Sequence, residues 1–261
     1  MSRRIGVVYF VYINPKKDWK KLIKGQLTDF KKTGILKDAF LYICVSNPSN
    51  TTGVAQFFEQ LNLDIYEIEY HDDNCYEYYG LHKLWKLAQS DKHDFLAYFH
   101  TKGMSYRNLF NFGFGNGRNI REIILTYLTF KNYKYTLEVF DSHMNIQKIG
   151  AFPKKDDDSS NVSGCFIWFN FFWIRSSYAK TLEEPIKTDN RFYYENWSSK
   201  DVGERGESYK TMCYSLYSDS NEGFTIHEAA NILKKLKKIY KYTWPVSMIK
   251  KNMTLKGTTY H

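Results

Sequence analysis

Cysteine and proline are scarce in this chain of 261 residues, with four of the first and five of the second. Cys44, Cys75, Cys165 and Cys213 stand at least thirty positions apart, with no CxxC and no Cys/His cluster. That spacing excludes a zinc ribbon and a disulfide-rich secreted scaffold. No glycine-rich phosphate loop or GxGxxG follows the first apolar run, which excludes the dinucleotide fingerprint. Long hydrophobic runs are missing too: residues 5–13 and 165–174 are about half a membrane span. The first residues lead straight into a strand-like segment without signal-peptide architecture. The expectation is a soluble protein of a reducing, cytoplasmic compartment.

Acidic residues are absent from 232–261, which carries eight basic side chains, and residues 1–33 hold nine basic against two acidic. The remaining middle holds 20 basic and 26 acidic side chains, so the +9 net charge belongs to the two ends. A protein that wraps nucleic acid is more often basic across its working face. Nucleic acid is therefore not the expected partner. What the chain has in plenty is aromatic side chains: 22 Tyr, 19 Phe and 6 Trp.

The first half repeats one pattern of apolar run, polar tip and helix-period stretch. Residues 5–13 read as a strand buried on both faces, followed by a helix over 16–33 with Trp19, Ile23, Leu27 and Phe30 on one side. Gly34 sits just past its end, where a left-handed residue is favoured. Strands follow at 39–45, 65–70 and 95–99, with helices at 54–61 and 76–88 between them. Such alternation predicts a mainly parallel α/β sheet flanked by helices. The second half reads as a helix over 119–140, a short strand at 147–152, a loop at 154–160, a β segment at 166–174 and a helix start at 177–182. A helix over 226–242 closes it. No repeat or low-complexity linker divides the chain. The expected organisation is one domain over 1–225 with the C-terminal helix and basic tail, 226–261, packed on it.

In a parallel sheet, ligands gather beyond the carboxyl ends of the strands. Those ends carry Asn14, Ser46-Asn47, Asp72-Asp73 and His100-Thr101-Lys102. A lysine ammonium and a threonine hydroxyl suit a phosphate, and Gly103 permits close backbone approach. Each tip taken alone could equally be a solvated turn.

Short segments in sequence order then resemble a family. Tyr12-Ile-Asn14, Glu77-Tyr-Tyr-Gly-Leu81 with Leu84-Trp85, and Tyr98-Phe-His-Thr-Lys-Gly-Met104 look like motifs of GT-A-type glycosyltransferases. That group is related to the rhamnan-synthesis and "HTKG" sugar transferases of bacteria, protists and large DNA viruses. Asn170-Phe-Phe-Trp-Ile-Arg-Ser-Ser-Tyr178 and Arg191-Phe-Tyr-Tyr-Glu-Asn-Trp197 are similar to two later segments of that group. The resemblance covers roughly residues 5 to 200.

The resemblance implies a GT-A-like, Rossmann-like fold and transfer of a sugar from a nucleoside-diphosphate sugar, with uridine expected, to a glycan or glycoconjugate hydroxyl. Inversion at the anomeric carbon is expected with it. Tyr12, Asn14, Asp72, Asp73, Glu77, His100, Thr101 and Lys102 fall on the donor side. Glu195, a carboxylate among Tyr193, Tyr194 and Trp197, is the expected base. The other reading of Glu195 is a surface helix carboxylate paired with Arg191. Asn170, Trp173 and Arg191 fall on the acceptor side. Most GT-A enzymes hold Mn²⁺ or Mg²⁺ at a DxD, whereas here the tip reads His100-Thr101-Lys102. Either Lys102 supplies the charge or an ion is held elsewhere, with Asp73 and His100 as candidate ligands. Asp156 to Asp158 is the second candidate for the base or a metal cluster, although three adjacent carboxylates are usual in a solvated loop. Phe169 stands where the family often has glycine.

The last helix sorts into an apolar side (Ile232, Leu233, Leu236, Ile239, Tyr240) and a lysine side (Lys234, Lys235, Lys237, Lys238, Lys241). It reads as docked by its apolar side, or as a peripheral contact with an anionic membrane surface. The competing function is a non-catalytic protein that binds glycan or nucleic acid.

Overall fold

A run of apolar residues needs cover on both faces, and β1 (Ile5–Tyr12) is buried at every position but its last. The computed structural model describes residues 4–102, 118–155, 166–202 and 212–242. Seven strands form one sheet among these residues. They are β1, β2 (Ala39–Ser46), β3 (Glu67–His71), β4 (Phe95–His100), β5 (Lys148–Gly150), β6 (Phe172–Arg175) and β7 (Cys213–Ser215). Their order is β3-β2-β1-β4-β6-β5-β7. The first four are mutually parallel, β6 runs antiparallel to both β4 and β5, and β7 is parallel to β5.

Strand alternation sends Val7, Tyr9 and Val11 to one face and Val8 and Phe10 to the other. The first face is covered by α1 (Trp19–Lys32), α2 (Val54–Glu59), α4 (Ile120–Phe130) and α5 (Tyr133–Ser142). The second is covered by α3 (Tyr78–Gln89) and α6 (Ser176–Ala179). Asp18 caps α1 by accepting the Lys21 N–H, and Gly34 stands beyond its end at φ 80°. Two further helices are the short α7 (Arg191–Asn196) and the long α8 (Ile226–Tyr242).

The helix expected over 119–140 is two helices. Asn132 leaves the helical region (φ −108°, ψ 43°), and the turn lets Phe130 and Phe140 both reach the core. The β segment expected over 166–174 is strand only from Phe172. Before it, Trp168–Asn170 forms a 3-10 turn with Phe169 at φ 74° and Asn170 at φ 59°. Six aromatic residues in eight positions hid that turn, because dense apolar sequence has no period to interrupt.

α8 packs against α4, with Ala229 and Leu233 buried and Lys234, Lys235, Lys237 and Lys238 exposed. Among the described residues no helix is long and apolar enough to cross a membrane. Cys44 and Cys75 are free thiols, whereas Cys213 is disulfide-bonded. Cysteine spacing did not foresee that bond, which a reducing compartment disfavours.

Candidate functional site

The carboxyl ends of β1 and β4 lie side by side, with Phe10 opposite His100. Just past them the Thr101 hydroxyl accepts the Tyr12 N–H at 2.9 Å, and the Thr101 N–H donates to the Phe10 carbonyl at 3.1 Å. Tyr12, Thr101 and Lys102 therefore share one rim. Asn14 follows on the same edge, where its side-chain oxygen accepts the Lys16 N–H at 3.0 Å. A buried glutamine supports the rim from below. Gln26 of α1 accepts from the Tyr9 hydroxyl at 2.8 Å and donates to the His100 carbonyl at 3.1 Å and to Thr126 at 3.0 Å. A buried amide with its partners satisfied fixes the backbone that carries Thr101 and Lys102.

Glu77, at the start of α3, collects polar groups from two other segments, β4 and the turn before β6. Its carboxylate accepts from the Tyr98 hydroxyl at 3.0 Å and from the Asn170 amide at 2.5 Å, and His100 Nε2 lies 3.8 Å away. His100 is buried, with Nε2 3.2 Å from the Phe169 carbonyl. Burial pushes the His100 pKa down, Glu77 opposes that shift, and Lys102 adds to it. Gly80 explains how α3 comes so close. A Cβ there would lie 2.7 Å from Phe10 Cβ and 2.8 Å from Tyr98 Cε2, so only glycine lets the helix settle on the sheet.

The end of β3 is organised differently. Lys187 donates to Asp73 at 3.1 Å and to the Tyr79 hydroxyl at 2.8 Å, and Tyr79 itself donates to Asp73. These partners, Tyr79 first and then Lys187, hold the Asp73 carboxyl down at about 2. His71 stacks on Tyr79 with ring centroids 3.5 Å apart. Asp72 is exposed beside them. Asp73 is thus committed to a lysine and a tyrosine, and His100 turns Nε2 toward a carbonyl. Strands β3 and β4, separated by two others, stand roughly 14 Å apart. The described residues contain no group of three or more His, Cys, Asp or Glu that could hold a metal ion. Asp73 and His100 do not fit a shared divalent site. Asp156 to Asp158 lie outside the described residues, as does Gly103.

Glu195 lies on α7, whose start Asn190 caps by accepting the Phe192 N–H at 3.1 Å. Buried Tyr194 and Trp197 anchor the helix, the indole N–H of Trp197 donating to the Glu183 carbonyl at 2.9 Å. Burial raises the Glu195 pKa; Lys102 and Arg191 pull it back, while Glu77 pushes it further up. Lys102 and Glu77 therefore lie near enough to Glu195 for their charges to act on it, in opposite directions. The Lys102 ammonium stands 5.7 Å from the centre of the Phe169 ring. Arg191 pairs with Glu195 at 3.7 Å, as the helix spacing predicts, and is itself exposed.

One expected acceptor residue is displaced from the site. Trp173 is fully buried, and its indole N–H donates to the Thr129 carbonyl at 2.9 Å, so it is core and meets no sugar. Strand alternation from Phe172 turns it into the face covered by α4. Asn170 is also buried, but its amide points at Glu77. The sequence reading missed Lys187, Tyr79 and Tyr98 as site residues. Tyr79 and Tyr98 stand inside quoted motifs, whereas nothing local singles out Lys187.

No family model matches the sequence, and no curated protein matches it. Among solved structures, S. aureus TarS (residues 1–349) is similar at 11% identity and a TM-score of 0.42, over 74% of this chain and 55% of that one. This chain thus spans about half the length of that protein. A candidate nucleotide-diphospho-sugar transferase from Desulfovibrio desulfuricans G20 is similar at 11% identity and a TM-score of 0.40, over 93% and 99% of the two chains. At such identity nothing about activity passes from those proteins to this one. What the chain itself shows is an α/β protein built on a mainly parallel, seven-stranded sheet flanked by helices.

Proposed function

We propose that this protein is a glycosyltransferase that moves a sugar from a nucleoside-diphosphate sugar, with uridine as the base, to a hydroxyl of a glycan or glycoconjugate. The observation that carries the reading is that Lys102, just past the end of β4, is near enough to Glu195 for its charge to act on that carboxyl group. A cation and a carboxylate with a raised pKa stand there within electrostatic reach of each other. Sugar transfer needs both. The Glu195 carboxylate takes the proton of the acceptor hydroxyl as its oxygen bonds to the anomeric carbon. The bond from that carbon to the phosphate oxygen breaks, and its electron pair leaves with the diphosphate. Lys102 and Thr101 face the charge that develops there. Attack from the side opposite the leaving group inverts the anomeric centre.

The remaining residues orient. Glu77 pins Asn170 and Tyr98, and so shapes the turn over which Lys102 lies. Asp72, exposed beyond β3, suits ribose hydroxyls, and Lys187 holds the neighbouring Asp73 in place. Tyr12, Asn14 and His100 frame the donor side, and Arg191 flanks the base on the acceptor side. Mn²⁺ or Mg²⁺, if bound, would add charge beside the diphosphate; no step here is routed through an ion.

Thermal shift with UDP and hydrolysis of UDP-sugars test the proposal. Wild-type protein is expected to gain stability with UDP, and Lys102→Ala to lose most of that gain. No shift with any nucleoside diphosphate, alongside a salt-sensitive shift with oligonucleotides, would replace the enzyme by a binding module. Hydrolysis in the presence of EDTA asks separately whether an ion is required.

A further inference from the structure

A large cleft lies at the other end of the sheet. Its volume is about 920 Å³, and its walls come from the starts of β1 and β2, the approaches to β3 and β4, and one side of α5. Along β1 that end is roughly 25 Å from the carboxyl rim. The cleft is therefore separate from the proposed catalytic site and independent of its chemistry.

Aromatic side chains dominate one wall. Phe40 is 45% exposed and Tyr66 56% exposed, far more than such rings usually are on a folded surface. They are held, not loose. Phe40 and Tyr66 meet edge to face at 5.0 Å, and Tyr66 meets Tyr42 in the same way at 5.2 Å. His93 also lines the cleft. It is 4% exposed, its Nε2 is 2.9 Å from the Tyr42 hydroxyl, and its Nδ1 has no hydrogen-bond partner. A buried ring nitrogen without a partner is costly unless something polar arrives to meet it.

The charges around these rings identify the class of ligand. Four cationic and three anionic side chains line the cleft, so its rim is close to neutral. Lys37, Lys92 and Lys134 offer donors, while Asp64 and Glu138 offer acceptors. A nucleic acid or an anionic polymer would meet carboxylates as well as lysines and gain little. A lipid surface would meet too many charges. A neutral pyranose fits both features: its C–H face packs on an aromatic ring, and its hydroxyls both donate and accept.

We propose that the cleft bounded by Phe40, Tyr66 and His93 at the amino-terminal rim is a second carbohydrate-binding site, which takes an uncharged oligosaccharide.

Isothermal titration of the full chain with maltohexaose, cellohexaose and chitohexaose tests the site, with a heparin hexasaccharide and a poly-deoxythymidine oligonucleotide as charged probes. At least one neutral hexasaccharide is expected to bind. The Phe40→Ala/Tyr66→Ala double variant should weaken that binding at least tenfold and leave the UDP thermal shift unchanged. Should the double variant unfold, Tyr66→Ala alone, at the more exposed ring, gives the same comparison. Three results would overturn the site: no neutral probe binds, binding survives the variant at full strength, or only the charged probes bind. A missing UDP shift in wild-type protein would instead remove the catalytic proposal and leave this one standing.

Discussion

The Asn170 amide donates to the Glu77 carboxylate at 2.5 Å, joining the start of α3 to a left-handed turn 93 positions away. Hydrogen bonds to a charged, partly buried group contribute about 1.5–3 kcal/mol. A double-mutant cycle of Glu77→Gln and Asn170→Ala should therefore give a coupling energy in that range from urea melts. Additive losses would mean that the two groups act alone. Glu77→Ala should cost more than Asn170→Ala, because it also strands the Tyr98 hydroxyl.

Gly80→Ala places a methyl group against Phe10 and Tyr98, neither of which offers a flexible end to move aside. Overpacking of this kind costs about 1–3 kcal/mol. The melting temperature should fall, and the UDP shift should shrink with it as α3 lifts Glu77 away from Asn170. A variant as stable as the wild type would show that α3 has room to spare.

Glu195→Gln should abolish transfer while leaving UDP binding intact. In the wild-type protein the rate should rise with pH through a pKa above that of an ordinary carboxylate, since burial raises it and the base works only when ionised. Arg191 draws that pKa down, so Arg191→Gln should move the rising limb to higher pH. A limb that stays in place would detach Arg191 from the base.

Lys148 is a fully buried lysine on β5 whose ammonium reaches neutral oxygens among the described residues. Its distances are 2.8 Å to the Ser198 hydroxyl, 3.2 Å to the Ser198 carbonyl and 3.4 Å to the Ser199 hydroxyl. Burial pushes its pKa down to about 7. In the unfolded chain it would hold its proton to about pH 10.4. Between those values the unfolded state binds more protons, so folding stability gains as pH rises and the gain ends near the upper value. Lys148→Met should lack that gain. Melting temperatures of both proteins from about pH 6 to about pH 10 would check it, and parallel curves would sink the idea.

Much of the fold is legible in the chain because its signals are local. Residues 5–13 are apolar throughout and become β1, and the 3.6-residue period of 16–33 becomes α1 with Gly34 at its end. The lysine and apolar sides of 226–239 separate in the structure as the sequence pattern predicts. Where local signal thins, the reading fails. Asn132 breaks one expected helix in two, at a residue type that leaves helices readily, and Phe169 bends an expected strand by taking a left-handed conformation that a bulky side chain seldom adopts.

The order of strands and helices, and the polar tips at Asn14, Asp72-Asp73 and His100-Thr101-Lys102, were set by residue periodicity, which acts between near neighbours. Tertiary structure alone decided that Lys187 grips Asp73, that Trp173 faces the core, and that Asn170 meets Glu77. It also decided that Phe40, Tyr66 and His93 wall one cleft. The physical reason is that each of these depends on strand register and on the closeness of α3 to the sheet, which no local pattern encodes.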